Sequence, residues 1–408
     1  LEGKANSNKQ VRKEQMKGIK DRVAIIGMGC TKFGELWDKS EEDLLVEAVY
    51  EAFGDAGVEP KHIQAAWLGN ARTAMRGAAL AIPLKLEYIP ISRVENQCCS
   101  GTDAFRNACY AVAAGVYDLA LVVGFEKLKD AGPERLRARY LYPDLFPQVP
   151  LGLPAQEFAL KATRYFHDYK LSYEEGKRML SRIAVKNHHN GTMSPKAHFK
   201  KEITIEQAMK APMIAYPLGL LDACGVSDGA AAAVITRSDM AKKFRDDYVL
   251  VKGIGICSGA KQAQLCSDED LIHFEENVRA AKMAYEEAGI SDPLKQIDLA
   301  ELHDCFTITE AITYEDLGFC PRGKTKEYVE EGIFELDGEL AVNTDGGLKC
   351  FGHPLGASGI RMIYEIYKQM QYKAGPRQRK NPSIGLTHNL GGTTGAYTVS
   401  VAIFGQRD

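Results

Sequence analysis

Residues 94–112 read VENQCCSGTDAFRNACYAV. Two adjacent cysteines, Cys98 and Cys99, precede a Ser100–Gly101 pair and then an apolar run at helical spacing. A cysteine is nucleophilic as its thiolate, and the dipoles and free N–H groups of a helix N-terminus lower a thiol pKa. A small Ser–Gly pair lets a substrate come close to the backbone. Position alone does not choose between the two cysteines. A second stretch, KCFGHPLGASGI (349–360), holds His353 between Gly352 and Pro354 on a loop that runs into a helix. A histidine there can reach a thiolate and act as its base. A third, ELHDCFTITE (301–310), puts His303, Asp304 and Cys305 at the end of an expected strand, where α/β proteins collect ligand-binding residues. The fourth, GLTHNLGGTTGAYTVSVAIFG (385–405), offers open backbone N–H groups at Gly391 and Gly392 before a long β run.

These groups need a large scaffold. The chain has 408 residues, 45% hydrophobic and 26% charged, which fits two or three folded domains with a sizeable core. A net charge of −3 argues against a nucleic-acid partner. No apolar run reaches the roughly 18 residues that span a bilayer. Ten cysteines are scattered without zinc spacing, so no metal site is expected. Scattered thiols point to a reducing, cytoplasmic compartment. Residues 1–20 are polar and charged, without the apolar core of a secretory signal, and are expected to be a leader or expression remnant.

Strands and helices alternate. RVAIIGMGC (22–30), AAWLG (65–69) and LALVVG (119–124) read as buried strands, and LLVEAVYEAFGDAGV (44–58) as a helix stopped at Gly57. The second half repeats the first three times in the same order. YVLVKGIGIC (248–257) matches 22–30, 280–302 matches 48–68, and 357–370 matches 99–112. A duplicated α/β body is expected. Residues 125–245 interrupt the pattern with Arg, Lys, His and aromatics, the composition of a site for an anionic, partly apolar ligand.

Together the four motif stretches resemble the thiolase superfamily over about residues 20–405. GHPLGASG carries most of that specificity. HDCF and HNLG resemble the sterol-carrier-protein-X type, rather than the degradative enzymes with Asn-Glu-Ala-Phe and Cys-x-Gly. The resemblance implies two pseudo-symmetric βαβαβαββ halves in a five-layered α-β-α-β-α body, with a CoA-binding loop domain. It places the N-terminal half at 21–124 and 220–246, the loop domain at 125–219 and the C-terminal half at 247–408. It makes Cys98 the nucleophile, with Cys99 replacing a small alanine. His353 then activates Cys98, His303 donates to the thioester oxygen, and Cys305 is the second acid/base. The position of the other group's Cys-x-Gly cysteine is Asn389 here. Backbone N–H groups of Cys98 and Gly391 would form a second oxyanion hole. Arg135, Arg137, Arg139, Lys186 and His188 are expected at CoA or the acyl group.

The implied reaction is cleavage of a 3-oxoacyl-CoA by CoA, or the reverse condensation, through an acyl-cysteine. CoA is a substrate, and no resident cofactor is implied. Acetoacetyl-CoA and 2-benzoylsuccinyl-CoA are the acyl substrates the relatives suggest. The partners implied are a second copy of the chain and a small zinc-ribbon/OB-fold companion. A catalytically silent CoA-ester-binding subunit is the alternative, disfavoured because Cys98 and His353 are both present. A ketoacyl synthase is disfavoured by HDCF with GHPLGASG.

Overall fold

The computed structural model describes residues 18–74, 76–131, 154–259 and 270–406. Strand β1 (Val23–Cys30) is buried along its whole length, as an apolar run must be when both faces of a sheet are covered. Helix α1 (Glu41–Ala56) follows. Ser40 and Asp43 form a reciprocal cap at its start, and Gly57, at φ 68°, ends it. Leu44, Leu45, Ala48, Val49, Ala52 and Phe53 make one buried stripe, the pattern of a helix laid on the outside of a sheet. Next come β2 (Ala65–Gly69), β3 (Ile91–Val94), α2 (Ser100–Ala113) and β4 (Leu119–Lys127). Helices α3 (Pro154–Asp168) and α4 (Tyr173–Met193) intervene before the chain returns as β5 (Asp228–Arg237).

The second half runs β6 (Val249–Ser258), α5 (Glu275–Ala288), β7 (Leu299–Glu301) and α6 (Thr307–Asp316). It ends with β8 (Ala341–Val342), α7 (Leu355–Met370), β9 (Ile384–Gly391) and β10 (Thr398–Gly405). The strand order is β3-β2-β4-β5-β1 in the first half and β8-β7-β9-β10-β6 in the second. These are the same order. In each, the three strands nearest the outer edge are parallel and the next two pairings are antiparallel. The halves join where Ala24 pairs with Leu250 and Ile25 with Val249.

The helices complete the layering. α1 covers β1 and β5, and α5 covers β6 and β10, from outside. α2 lies against β2 and β4, while α7 packs on α2, on β4 and β5 of the first half, and on β9 and β7 of the second. A helix between two sheets has no solvent face, and α7 is buried nearly all round, Arg361 included. The duplicated, five-layered α/β fold expected from the sequence is therefore present. Each sequence repeat falls on an equivalent pair: β1 and β6, α1–β2 and α5–β7, α2 and α7. Strand β7, the one expected ahead of His303, is only three residues long. Ile297 N–H closes the preceding turn on Pro293, and Leu302 N–H is taken by Asn343 Oδ1, so the ladder stops at either side.

Candidate active site

The N-termini of the two central helices meet, and glycine makes the meeting possible. A Cβ on Gly356, in the first turn of α7, would lie 2.8 Å from Phe125 O and 2.9 Å from Asn70 Cα. A side chain on Gly101, in the first turn of α2, would strike Gly356 O. With neither present, the two turns press together on β2 and β4. The loops ahead of them, carrying Cys98 and His353, converge with the segment after β7 that carries His303. Cys98 Sγ and one ring nitrogen from each histidine all lie within 4.8 Å of one another. Cys98 is half-buried, whereas Cys99 is fully buried in the core. Of the pair, Cys98 is the one that reaches the cluster.

The hydrogen bonds fix the two imidazoles in opposite tautomers. Ser358 Oγ donates to Pro354 O at 3.0 Å, so its single proton is committed, and it accepts from His353 Nδ1–H at 2.8 Å. His353 Nε2 is left as a bare lone pair, buried and without a hydrogen-bond partner. His303 is the reverse. Its Nδ1 accepts from Leu390 N–H at 3.3 Å and from Asn389 Nδ2 at 3.1 Å, so its proton sits on Nε2. Thr102 Oγ1 holds the other end of the Asn389 amide at 2.8 Å. One histidine is thus set to take a proton and the other to donate a hydrogen bond.

Burial keeps the cluster neutral. Desolvation pushes the Cys98 thiol up to about 12, with Cys224 adding to it. His353 is held down to about 3 by desolvation and then by Arg361. His303 lies well below its ordinary value through desolvation and the neighbouring His353. The expected lowering of the Cys98 pKa by its helix N-terminus is therefore corrected: loss of hydration outweighs it in the free protein. Arg361, bonded at 2.7 Å to both Glu301 and Asp345, is the buried cation that disfavours protonating His353.

Cys305 is buried, 3.7 Å from Thr309 Oγ1, with its thiol pushed well up by desolvation and by the neighbouring Cys224 and Cys98. Cys224 was not singled out in the sequence. Ala223 bridges Phe306, and Cys224 N–H donates to Cys305 O at 2.9 Å. In antiparallel pairing this sets Cys224 directly opposite Cys305. Asp304, between His303 and Cys305, accepts from Leu348 N–H at 2.6 Å and from Asn187 Nδ2 at 2.8 Å. It ties the 302–306 loop to the segment leading into His353. Gly391 closes the far side. A Cβ there would lie 2.8 Å from Cys98 N and 2.6 Å from Cys99 N, so the two backbones touch where the family resemblance implies an oxyanion hole.

The structure thus gathers Cys98, His303, His353, Cys305 and Gly391 in one place. It does not bring Lys186 and His188 there as free cations. Lys186 is buried on Glu310 Oε1 at 2.7 Å and Val342 O at 3.0 Å. His188 bonds Lys201 O at 2.8 Å and Lys349 Nζ at 3.2 Å, and burial lowers it to about 4. Both expectations are corrected: helix α4 turns these side chains into the core. Arg135, Arg137 and Arg139 lie outside the described residues. Ser358, Asn389, Thr102 and Cys224 have roles that spacing did not show. Ser358 lies within the GHPLGASG motif, and Asn389 is the position of the other group's Cys-x-Gly cysteine.

Residues 23–239 match the family model "Thiolase, N-terminal domain", and residues 257–406 match "Thiolase C-terminal domain-like". The chain is 38% identical to the acetyl-CoA acetyltransferase of Methanothermobacter thermautotrophicus, over 94% of this chain and 99% of that one. It is 31% identical to the benzoylsuccinyl-CoA thiolase subunit BbsB of Thauera aromatica, over 92% and 96%. Among solved structures it is similar to the Ltp2-ChsH2(DUF35) aldolase, with TM-score 0.83 and 28% identity over 95% and 98%.

Proposed function

The chain belongs to the thiolase family and is an acyltransferase of that kind, and we propose that it exchanges acyl groups between Cys98 and CoA on a short 3-oxoacyl-CoA such as acetoacetyl-CoA. The observation that carries the reading is the meeting of Cys98 Sγ with the two histidine nitrogens inside 4.8 Å. His353 Nε2 takes the thiol proton as sulfur attacks the ketone carbon. This happens during attack rather than before it, because the neutral pair is the resting state. The N–H groups of Cys98 and Gly391 receive the oxyanion. The C–C bond then breaks, and His303 Nε2–H stabilises the enolate on the departing acetyl-CoA. Cys305, a thiol that burial keeps protonated, gives its proton to the carbanion. CoA then gives its thiol proton to the Cys305 thiolate and attacks the acyl-cysteine, and the departing Cys98 sulfur takes its proton back from His353. The same groups serve the reverse condensation.

The short acyl group is supported by the methanogen relative's activity, and 2-benzoylsuccinyl-CoA by the Thauera relative. Residues 125–219 are assigned to holding CoA, between the two thiolase halves, 21–124 with 220–246 and 247–408. A homodimer with a small zinc-ribbon/OB-fold companion is assigned as the assembly; a DUF35 component belongs to the aldolase neighbour. Residence in the reducing cytoplasm is assigned on nine unpaired cysteines among the described residues. No helix among these residues is long and apolar enough to cross a membrane.

The test is CoA-dependent cleavage of acetoacetyl-CoA by the purified chain beside Cys98→Ala and Cys305→Ala. Turnover by the native chain and its loss in both variants supports the reading. Turnover of 2-benzoylsuccinyl-CoA alone moves the substrate. Turnover that survives Cys98→Ala rejects the mechanism.

A further inference from the structure

The catalytic cluster has a second chemistry. We propose that Cys98, His353 and His303 form an inhibitory Zn2+ site in the free protein. A thiolate and two neutral imidazoles are a donor set for zinc. No zinc spacing is visible in the sequence because the three ligands come from separate loops. The three donor atoms already lie within 4.8 Å of one another. Zinc bonds of about 2.0 Å to nitrogen and 2.3 Å to sulfur require them to close by roughly 1 Å. The independent sign of a ligand site is His353 Nε2. It is buried, it has no hydrogen-bond partner, and its Nδ1–H is already held by Ser358 at 2.8 Å. That outer bond is the one metal-bound histidines use to fix their orientation.

On binding, Cys98 releases its thiol proton to solvent and sulfur coordinates the metal. His353 Nε2 coordinates without any proton change. His303 must first move its proton from Nε2 to Nδ1, where Leu390 N–H and Asn389 Nδ2 now donate. That opposition makes His303 the weakest of the three ligands. The site is therefore reversible, with its fourth position open. It depends only on where these side chains stand, so it holds whichever acyl-CoA the protein uses.

The test is titration of the full chain with Zn2+ against a chromogenic chelator, and with Co2+ as a spectroscopic probe. Expected are one bound metal, a near-ultraviolet sulfur-to-cobalt charge-transfer band, and protection of the Cys98 peptide from iodoacetamide that a chelator reverses. Cys98→Ala and His353→Ala lose the band and the tight binding, whereas His189→Ala, at an exposed histidine paired with Glu202, keeps both. Asn389→Asp would accept the relocated Nδ1–H and tighten binding about 10-fold or more. A native protein without the charge-transfer band, or a Cys98→Ala variant that binds Zn2+ equally well, overturns the proposal.

Discussion

His303 and His353 stand edge to face, ring centroids 5.1 Å apart at 89°, with their ring protons on opposite nitrogens. Ser358 sets one tautomer; Leu390 N–H and Asn389 set the other. One ring is left with a bare lone pair and the other with a free N–H, and their different partners make the difference.

Ser358→Ala removes the acceptor that holds His353 Nδ1–H. The imidazole is then free to change tautomer and turn its lone pair from Cys98. The loss of one such bond, about 1.4 kcal/mol, corresponds to roughly tenfold in kcat/KM. Steady-state kinetics should show that fall, and thermal unfolding should show a folded protein. Ser358→Thr, which keeps the hydroxyl, should recover more of the activity than alanine.

The raised Cys98 and lowered His353 pKa values both leave the proton on sulfur at neutral pH. Alkylation of Cys98 by iodoacetamide in the absence of substrate follows the thiolate fraction. Its rate should rise steadily with pH across the range from about 6 to 10, without a plateau near 7. A plateau in the neutral range would mean a preformed thiolate–imidazolium pair. Fragmentation of the labelled peptide separates Cys98 from the adjacent buried Cys99.

Cys305→Ala should divide the reaction. In the proposed mechanism sulfur attack and acyl transfer to Cys98 do not need Cys305, but proton transfer at the carbon next to the thioester does. The variant should still take an acetyl group from acetyl-CoA while exchange of the acetyl protons with deuterated water falls by about 100-fold or more. NMR of recovered acetyl-CoA measures the exchange.

Much of this site was legible because the chemistry lies in short local motifs. Cys98, His303, Cys305, His353 and Gly391 stand at strand ends or ahead of helices, inside the motifs that carry the thiolase resemblance, and it is that resemblance that picks Cys98 over Cys99. The partners that tune them do not stand out. Asn389 and Thr102 are joined only in the fold, as are Cys224 and Cys305. The duplication was readable because each half keeps its helix stops and glycines, as at Gly57 and Gly289. Lys186 misled because a cation on a helix reads as solvent-facing, yet α4 is packed on the second half and Glu310 receives the charge.

Arg361 illustrates what periodicity cannot show, a charge placed inside a helix that the fold buries. Arg361→Met leaves Glu301 and Asp345 buried without their cation and should cost about 3–5 kcal/mol. Both carboxyls already lie above their ordinary values through desolvation, and the substitution raises them further. A raised carboxyl pKa means the folded state binds more protons than the unfolded one, so stability falls as pH rises. Urea unfolding of the variant should show a larger loss at pH 8 than at pH 6.

The most direct measurement is mass spectrometry of the protein after brief mixing with acetoacetyl-CoA and acid quenching. One acyl group should appear on the peptide carrying Cys98 and disappear when CoA is added before the quench. Cys98→Ala should show none. Acylation of another residue, or CoA-dependent turnover with Cys98 unmodified throughout, would contradict Cys98 as the nucleophile.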